Sequence, residues 1–147
     1  MTKEFKGRAI FPGKTTGKII VSQRPLNTLA TYKNTIVFKK KKAIGGDQDN
    51  PALFKKDLTK AIIGLPQSSG STTGGLALMS LAENENAPTA LLFSKNIDSL
   101  AAAGVILADV WIGKRIITID RLGDEFLKYM KTGMNVEIRE DGTVIVD

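Results

Sequence analysis

The segment Leu65-Pro66-Gln67-Ser68-Ser69-Gly70-Ser71-Thr72-Thr73-Gly74-Gly75 holds the residues best suited to chemistry, because it joins an apolar strand-like run to an apolar helix-like run. It reads as a hydroxyl-rich loop feeding a helix N-terminus, where unpaired backbone N–H groups and the positive end of the helix dipole can receive a carboxylate or phosphate. Ser71 is the candidate nucleophile or base; Ser69, Gly70, Thr72, Thr73 and Gly74 are the candidate substrate contacts. Ser, Thr and Gly are also what an ordinary strand-to-helix turn uses for caps and positive φ. The four hydroxyls between Ser69 and Thr73 exceed the needs of one cap, so both readings stand.

The rest of the composition narrows the chemistry. With neither histidine nor cysteine, the chain lacks the usual zinc ligands, a thiolate nucleophile, a Ser-His-Asp triad and the thiolates of an iron–sulfur cluster. Asp47, Asp49 and Asp57 invite a metal reading, but their spacing lacks the ligand series of a calcium loop. The net charge is +6, and between positions 33 and 60 eight lysines face three aspartates, an excess of five. That lysine-rich stretch fits attraction of an anionic substrate or acidic protein surface, and equally a solvated edge that resists strand aggregation. Nucleic acid is disfavoured because aromatics are few and are not interleaved with the basic run.

The 147 residues suggest one domain spanning 1–147, with enough chain for a continuous core. There is no apolar run of the roughly 20 residues a membrane span needs, and Met1 to Lys6 lacks the apolar core of a signal peptide. The expectation is a cytoplasmic chain with no membrane partner.

The elements that must position the serine loop follow from pattern. Gly7–Phe11 and Gly17–Val21 are β-prone and flank Pro12-Gly13, which predicts a hairpin; Thr35–Phe38 predicts another strand. Ala61–Leu65 reads as a strand buried on both faces, as in a parallel sheet flanked by helices. Leu76, Ala77, Met79, Leu81 and Ala82 give a helical face up to about Asn84, and Thr89–Phe93 is strand-like. Asn96 to Ala103 predicts a short helix with Asn96 as N-cap and Gly104 at C′. Val105–Ala108 and Ile116–Ile119 are further apolar runs, and Gly123–Lys131 is an amphipathic helix burying Phe126, Leu127 and Met130. Asp141-Gly142 between alternating runs predicts a closing hairpin. Trp111 reads as partly buried packing. The sum is an α/β domain with an all-β first third, strands layered on strands, and helices covering one sheet.

Three spaced motifs carry a resemblance: Ile63-Gly64-Leu65-Pro66 with Gly70-Ser71-Thr72-Thr73-Gly74, then Ala87-Pro88-Thr89-Ala90, then Asp98 to Ala108 with its Leu-Ala-Ala-Ala-Gly-Val-Ile-Leu-Ala run. Together, over Phe5 to Asp109, they resemble the small swivel subunit of aconitase X-type dehydratases. The resemblance implies a swivelling β/β/α fold like the mobile domain of aconitase, with no cofactor on this chain. It also implies a larger catalytic subunit that carries an iron–sulfur cluster or other metal. The pair would be a hydro-lyase removing water from a small anionic hydroxy acid, of hydroxyproline or phosphomevalonate type, with Ser71 as the catalytic base at the interface. A serine is too weak a base unless positive charge, backbone N–H groups and water exclusion activate it. This chain departs from the family pattern at Ser69, where an arginine is usual, and after Pro25-Leu26, where Asn27 to Tyr32 replaces a Ser-Phe-Trp-Gly-Gly segment; Gly45-Gly46-Asp47 is a candidate displaced counterpart. These departures keep open an alternative: a non-catalytic, anion-binding or regulatory swivel domain. A looser similarity to phosphohistidine swivel domains is left as shared shape, since there is no histidine to phosphorylate.

Overall fold

The structure is a computed structural model that describes residues 2–147; Met1 lies outside the described residues. Ten strands and four helices follow in the order β1 (Lys3–Lys6), β2 (Arg8–Phe11), β3 (Thr15–Val21), β4 (Leu26–Asn27), α1 (Thr28–Val37), β5 (Ile62–Leu65), β6 (Ser68–Ser69), α2 (Gly74–Glu83), β7 (Ala90–Phe93), α3 (Ser99–Leu107), β8 (Ile117–Asp120), α4 (Asp124–Tyr129), β9 (Asn135–Ile138) and β10 (Thr143–Val146). A π-helical turn, Ala108–Ile112, prolongs α3.

Eight strands form one sheet in the order β1-β10-β9-β3-β5-β7-β8-β2. Its two outermost strands, β1 and β2, are consecutive in the chain with Gly7 between them, so the sheet folds back on itself into two layers. The layers share β3, whose first half pairs antiparallel with β9 and whose second half pairs parallel with β5. β5, β7 and β8 continue the parallel half, each joined to the next through a helix.

The two fully buried strands explain the layering, because successive side chains on a strand point to opposite faces. Ile62, Ala90 and Leu92 face inward with Phe5, Ile19, Phe126, Val136 and Val144, filling the space between the sheet layers. Ile63, Leu65, Leu91 and Phe93 face outward onto Leu78, Leu81, Ala101 and Val105 of α2 and α3 and onto Tyr32 of α1. The β/β/α arrangement expected from the sequence is the one found. Among the described residues no helix is long and apolar enough to cross a membrane.

Four local expectations are corrected. Residues 7–11 and 17–21 do not form a hairpin: β2 pairs with β8 and β3 with β5 and β9. Residues 35–38 are not a strand but the end of α1 and its cap, so the first third is not all β. Its buried face is Thr28, Thr31, Tyr32 and Thr35, at helical spacing but of weakly apolar type. Lys39, at φ 46, closes the helix, and the Lys40 N–H reaches back to the Thr35 carbonyl at 3.0 Å. Asp98, not Asn96, caps α3, and Gly104 lies inside that helix, where glycine is needed because a Cβ would come within 2.7 Å of Leu78 Cδ1 and 2.8 Å of Leu78 Cβ. Trp111 is 73% exposed on the π turn rather than packed. The remaining expected strands and helices, the parallel strand at 62–65 and the Asp141-Gly142 hairpin among them, are present.

The Gly104 contact yields a prediction. Gly104→Ala should force α2 and α3 apart and lower stability by about 1–3 kcal/mol, the range for overpacking a close contact; urea unfolding of the wild-type and variant chains measures it.

Candidate functional site

Strands β3, β5, β7 and β8 run parallel, so the loops that leave their carboxyl ends gather on one edge, the usual place for a ligand in such a sheet. These loops are residues 22–25, 66–73, 94–98 and 121–123. The serine loop leaves β5, in the interior of this row.

Its path is held on both sides. On one, Ser68 and Ser69 pair as β6 with Leu26 and Asn27 of β4, and the Leu26 N–H donates to the Gln67 carbonyl at 2.9 Å. On the other, the Asp98 carboxylate accepts from the Ser68 N–H at 2.7 Å, from the Ser68 hydroxyl, and from the Ala101 N–H at 3.1 Å. One side chain therefore caps α3 and fixes the serine loop to it. Gln67 Nε2 donates to the Asn96 carbonyl at 2.8 Å, tying the same two loops again.

Gly70 then reverses the chain at φ +98, and a Cβ there would meet the Asn27 amide at 2.4 Å. Glycine is required at this point for both conformation and space. Ser71, Thr72 and Thr73 follow, all exposed, and the first turn of α2 is wedged between its neighbours: Gly74 lies against Thr28 of α1, and Gly75 against Leu100, Ala103 and Gly104 of α3.

Ser71 is placed at the head of α2 with its hydroxyl in solvent. Its Oγ lies 2.9 Å from Thr73 Oγ1 and accepts from the Thr73 N–H at 3.2 Å, while the Ser71 carbonyl accepts from the Gly74 N–H at 3.0 Å. Thr73 occupies the N-cap position with no capping bond from its own side chain. Ser71 thus takes over one of the first-turn donors of α2 and remains open to an incoming group.

A cavity of about 280 Å³ opens beside this turn, lined by Arg24, Asn27, Asp47, Asp49, Asn50 and Ser69 among others. Of the sequence-predicted residues it receives Ser69; Ser71 and Thr73 stand together outside it, Gly70 and Thr72 are exposed between them, and Gly74 is buried at the start of α2. Gly45-Gly46 packs behind the cavity: the Gly46 N–H donates to the Thr31 carbonyl at 2.9 Å, and a Cβ on Gly45 would lie 2.0 Å from the Leu53 carbonyl oxygen. That contact delivers Asp47 to the cavity wall. Arg24 is the functional candidate that sequence reasoning missed; it donates to the Asp49 carbonyl at 2.7 Å and brings a cation to the cavity that Ser69 lines.

The lysine run is elsewhere. The Lys40 carbonyl accepts from Asn86 Nδ2, just beyond the end of α2, whereas Ser71 precedes the start of that helix. At 1.5 Å per residue the ten-residue helix separates them by about 15 Å. The solvated-edge reading of Lys39 to Lys42 fits this position, and the run lies away from the Ser71 turn. The acidic trio is also dispersed in its uses: Asp47 Oδ1 accepts from the Asp49 N–H, and Asp57 Oδ1 from the Thr59 N–H; the Thr59 hydroxyl and then its N–H hold the Asp57 carboxyl below its ordinary range. Among the described residues no three His, Cys, Asp or Glu side chains converge on a point that could hold an ion.

Comparison with known proteins decides the family: residues 4–146 match the model of the aconitase X swivel domain. The chain belongs to the aconitase X swivel-domain family. Similar relatives are named phosphomevalonate dehydratase small subunit. That of Thermococcus kodakarensis is 28% identical over 140 residues, covering 94% of this chain and 91% of the relative. That of Thermococcus sibiricus is 33% identical over 115 residues, covering 78% and 82%. Among solved structures, the crystal structure of Thermococcus kodakaraensis aconitase X in its holo-form superimposes with a TM-score of 0.81 at 27% identity, covering 99% of this swivel domain and 98% of that chain.

The Asp98 bridge generates the test for this geometry. Asp98→Ala removes a helix cap and strands the Ser68 N–H, and it should cost about 2 kcal/mol or more of stability. Amide exchange at Ser68 and Ala101 should accelerate more than exchange in β9 and β10, which hydrogen-exchange spectroscopy resolves residue by residue.

Proposed function

We propose that this chain is the small subunit of a two-chain hydro-lyase that dehydrates phosphomevalonate, with Ser71 as the base at the interface with a larger, metal-bearing subunit. The observation that carries the proposal is the near full-length match to relatives bearing that name, joined to an exposed hydroxyl at the head of α2 on the carboxyl edge of the sheet. The relatives' names favour phosphomevalonate over hydroxyproline as substrate.

Dehydration breaks a C–H bond next to the carboxylate, turns that electron pair into a C=C bond, and expels the β-hydroxyl with a proton as water. Ser71 Oγ takes the carbon-bound proton. The Ser71 hydroxyl must first give its proton to solvent or to a base on the partner, and the positive end of α2 and the Thr73 N–H already donating to Oγ stabilise the alkoxide, more strongly once the docked partner excludes water around them. Gly70, Thr72 and Thr73 lie exposed beside Ser71 with hydroxyl and backbone groups that would contact the carboxylate, Ser69 faces the neighbouring cavity, and Gly74 acts from the buried first turn of α2, where its N–H holds the Ser71 carbonyl. The partner supplies the acid or metal that assists departure of the hydroxide.

A second reading has its own observation: the Ser71 hydroxyl is engaged by the Thr73 N–H, as in a simple cap, which suits a non-catalytic anion-binding or regulatory domain. The two readings separate in one experiment on the chain copurified with its larger partner. Ser71→Ala should lower turnover at least about 100-fold, the scale for loss of a proton-transfer group, while the melting curve shifts only by the small cost of losing one exposed capping bond. Full turnover in the variant refutes the base. A wild-type pair without dehydratase activity, together with calorimetric binding of a small anion by this chain alone, establishes the second reading.

A further inference from the structure

The chain has five arginines, and three of them are matched to carboxylates: Arg8 to Asp120, Arg115 to Asp109 and Arg139 to Glu137. The other two, Arg24 and Arg121, have no carboxylate partner among the described residues. Both lie on loops at the carboxyl edge of the parallel strands, Arg24 beyond β3 and Arg121 immediately after β8, with the serine loop of β5 between them.

Each is oriented by a bond that occupies a single N–H. Arg24 donates from Nη1 to the Asp49 carbonyl, and Arg121 from Nε to Asn96 Oδ1 at 2.9 Å. A guanidinium has five such donors, so most of each fork is left for a ligand. Asn96 in turn accepts through its carbonyl from Gln67, the residue before Ser68, so Arg121 is coupled to the serine loop through two hydrogen bonds. Arg121 holds φ 57, a left-handed conformation that asparagine or glycine would adopt with less strain. Its neighbours enforce it: the N–H groups of Arg121, Leu122 and Gly123 donate to the carbonyls of Lys95, Phe93 and Ser94.

We propose that Arg24 and Arg121 form a two-armed anion receptor on either side of the serine turn, for a substrate carrying one negative group at each end. The proposal rests on the dehydratase reading for the identity of that substrate and on geometry alone for the site. β3 and β8 are three strand spacings apart, roughly 14 Å at 4.7–4.9 Å per spacing, and each arginine has a long, flexible side chain with which to close on a ligand lying between the two loops. Arg121 is the stronger arm. Asp47 and Asp49 border the cavity of Arg24 and offset its charge, whereas Arg121 is oriented by the neutral Asn96 amide. A phosphate, planar-fork compatible and doubly charged, matches Arg121 best.

The test uses the ¹⁵N-labelled full-length chain, titrated with inorganic phosphate at constant ionic strength while the arginine Nε–H resonances are followed. The Arg121 signal should move saturably and the Arg24 signal more weakly, with Arg8, Arg115 and Arg139 unmoved. Arg121→Asn, which suits the backbone conformation and should fold as well as wild type, should weaken phosphate binding at least tenfold, and Asp49→Asn should strengthen the response of Arg24. An unmoved Arg121 resonance, or equal movement of all five arginines, overturns the receptor. In the copurified two-chain enzyme, Arg121→Asn should raise KM with kcat largely kept. Phosphate binding as described together with full turnover of Ser71→Ala would sink the base and leave the receptor standing; loss of turnover in Ser71→Ala with an unmoved Arg121 would do the reverse.

Discussion

Burial of β5 and β7 on both faces is the constraint on which the molecule depends. Ile62, Ile63, Leu65 and Ala90 to Phe93 are each almost fully enclosed, so neither strand can have a solvent side. The pleat then assigns alternate side chains to two separate cores, and a second sheet layer and a helix layer are both required to cover them. Because the connections between these parallel strands are helices lying on one face, every strand-to-helix turn arises at the same edge. The site is therefore a consequence of topology before it is a matter of particular residues.

Within that edge the serine loop is not left to its own conformational preferences. A two-residue pairing with Leu26-Asn27 sets one side, and a single carboxylate, Asp98, sets the other while capping α3. Placing the loop and the helix cap on one side chain means that the head of α2 cannot shift without uncapping its neighbour. The glycine contacts act in the same sense: Gly74 and Gly75 allow α2 to close against α1 and α3, and Gly104 admits Leu78. Rigid support of this kind keeps the head of α2 and the serine loop in one fixed arrangement.

The legible and illegible parts of the chain differ in a physical way. β5, α2, β7 and the Asp141-Gly142 hairpin were readable because their signals are local: an unbroken apolar run, a helical face, a turn dipeptide. The helix at 28–37 was hidden because its buried face is Thr28, Thr31, Tyr32 and Thr35, and the following Ile36-Val37-Phe38 mimics a strand while Val37 and Phe38 are solvent-exposed. The false hairpin at 7–21 shows the complementary failure. Both strands were seen, but their partners lie more than 40 residues away, and only the rest of the sheet decides pairing. At the site, the serine turn was found from its hydroxyl density, whereas Arg24 and Arg121 carry no signal in a single sequence; what marks them is the absence of a carboxylate, which only the fold reveals.

The buried hydroxyl of Tyr32 shows how far the helix layer favours packing over polar satisfaction. It is completely enclosed and has no hydrogen-bond partner among the described residues, and burial pushes its ionisation well above the ordinary tyrosine range. The phenol is therefore held in its neutral form, and its ring serves as apolar filling between α1 and the parallel sheet. An unmade bond of this kind costs free energy that a phenylalanine would not. The same helix begins at Asn27, whose side chain caps it and whose amide Gly70 must clear. The helix that tolerates this unpaired hydroxyl therefore also meets the serine loop at its cap residue, and the pairing and capping bonds around that loop, rather than the Tyr32 packing, hold the Ser71 turn.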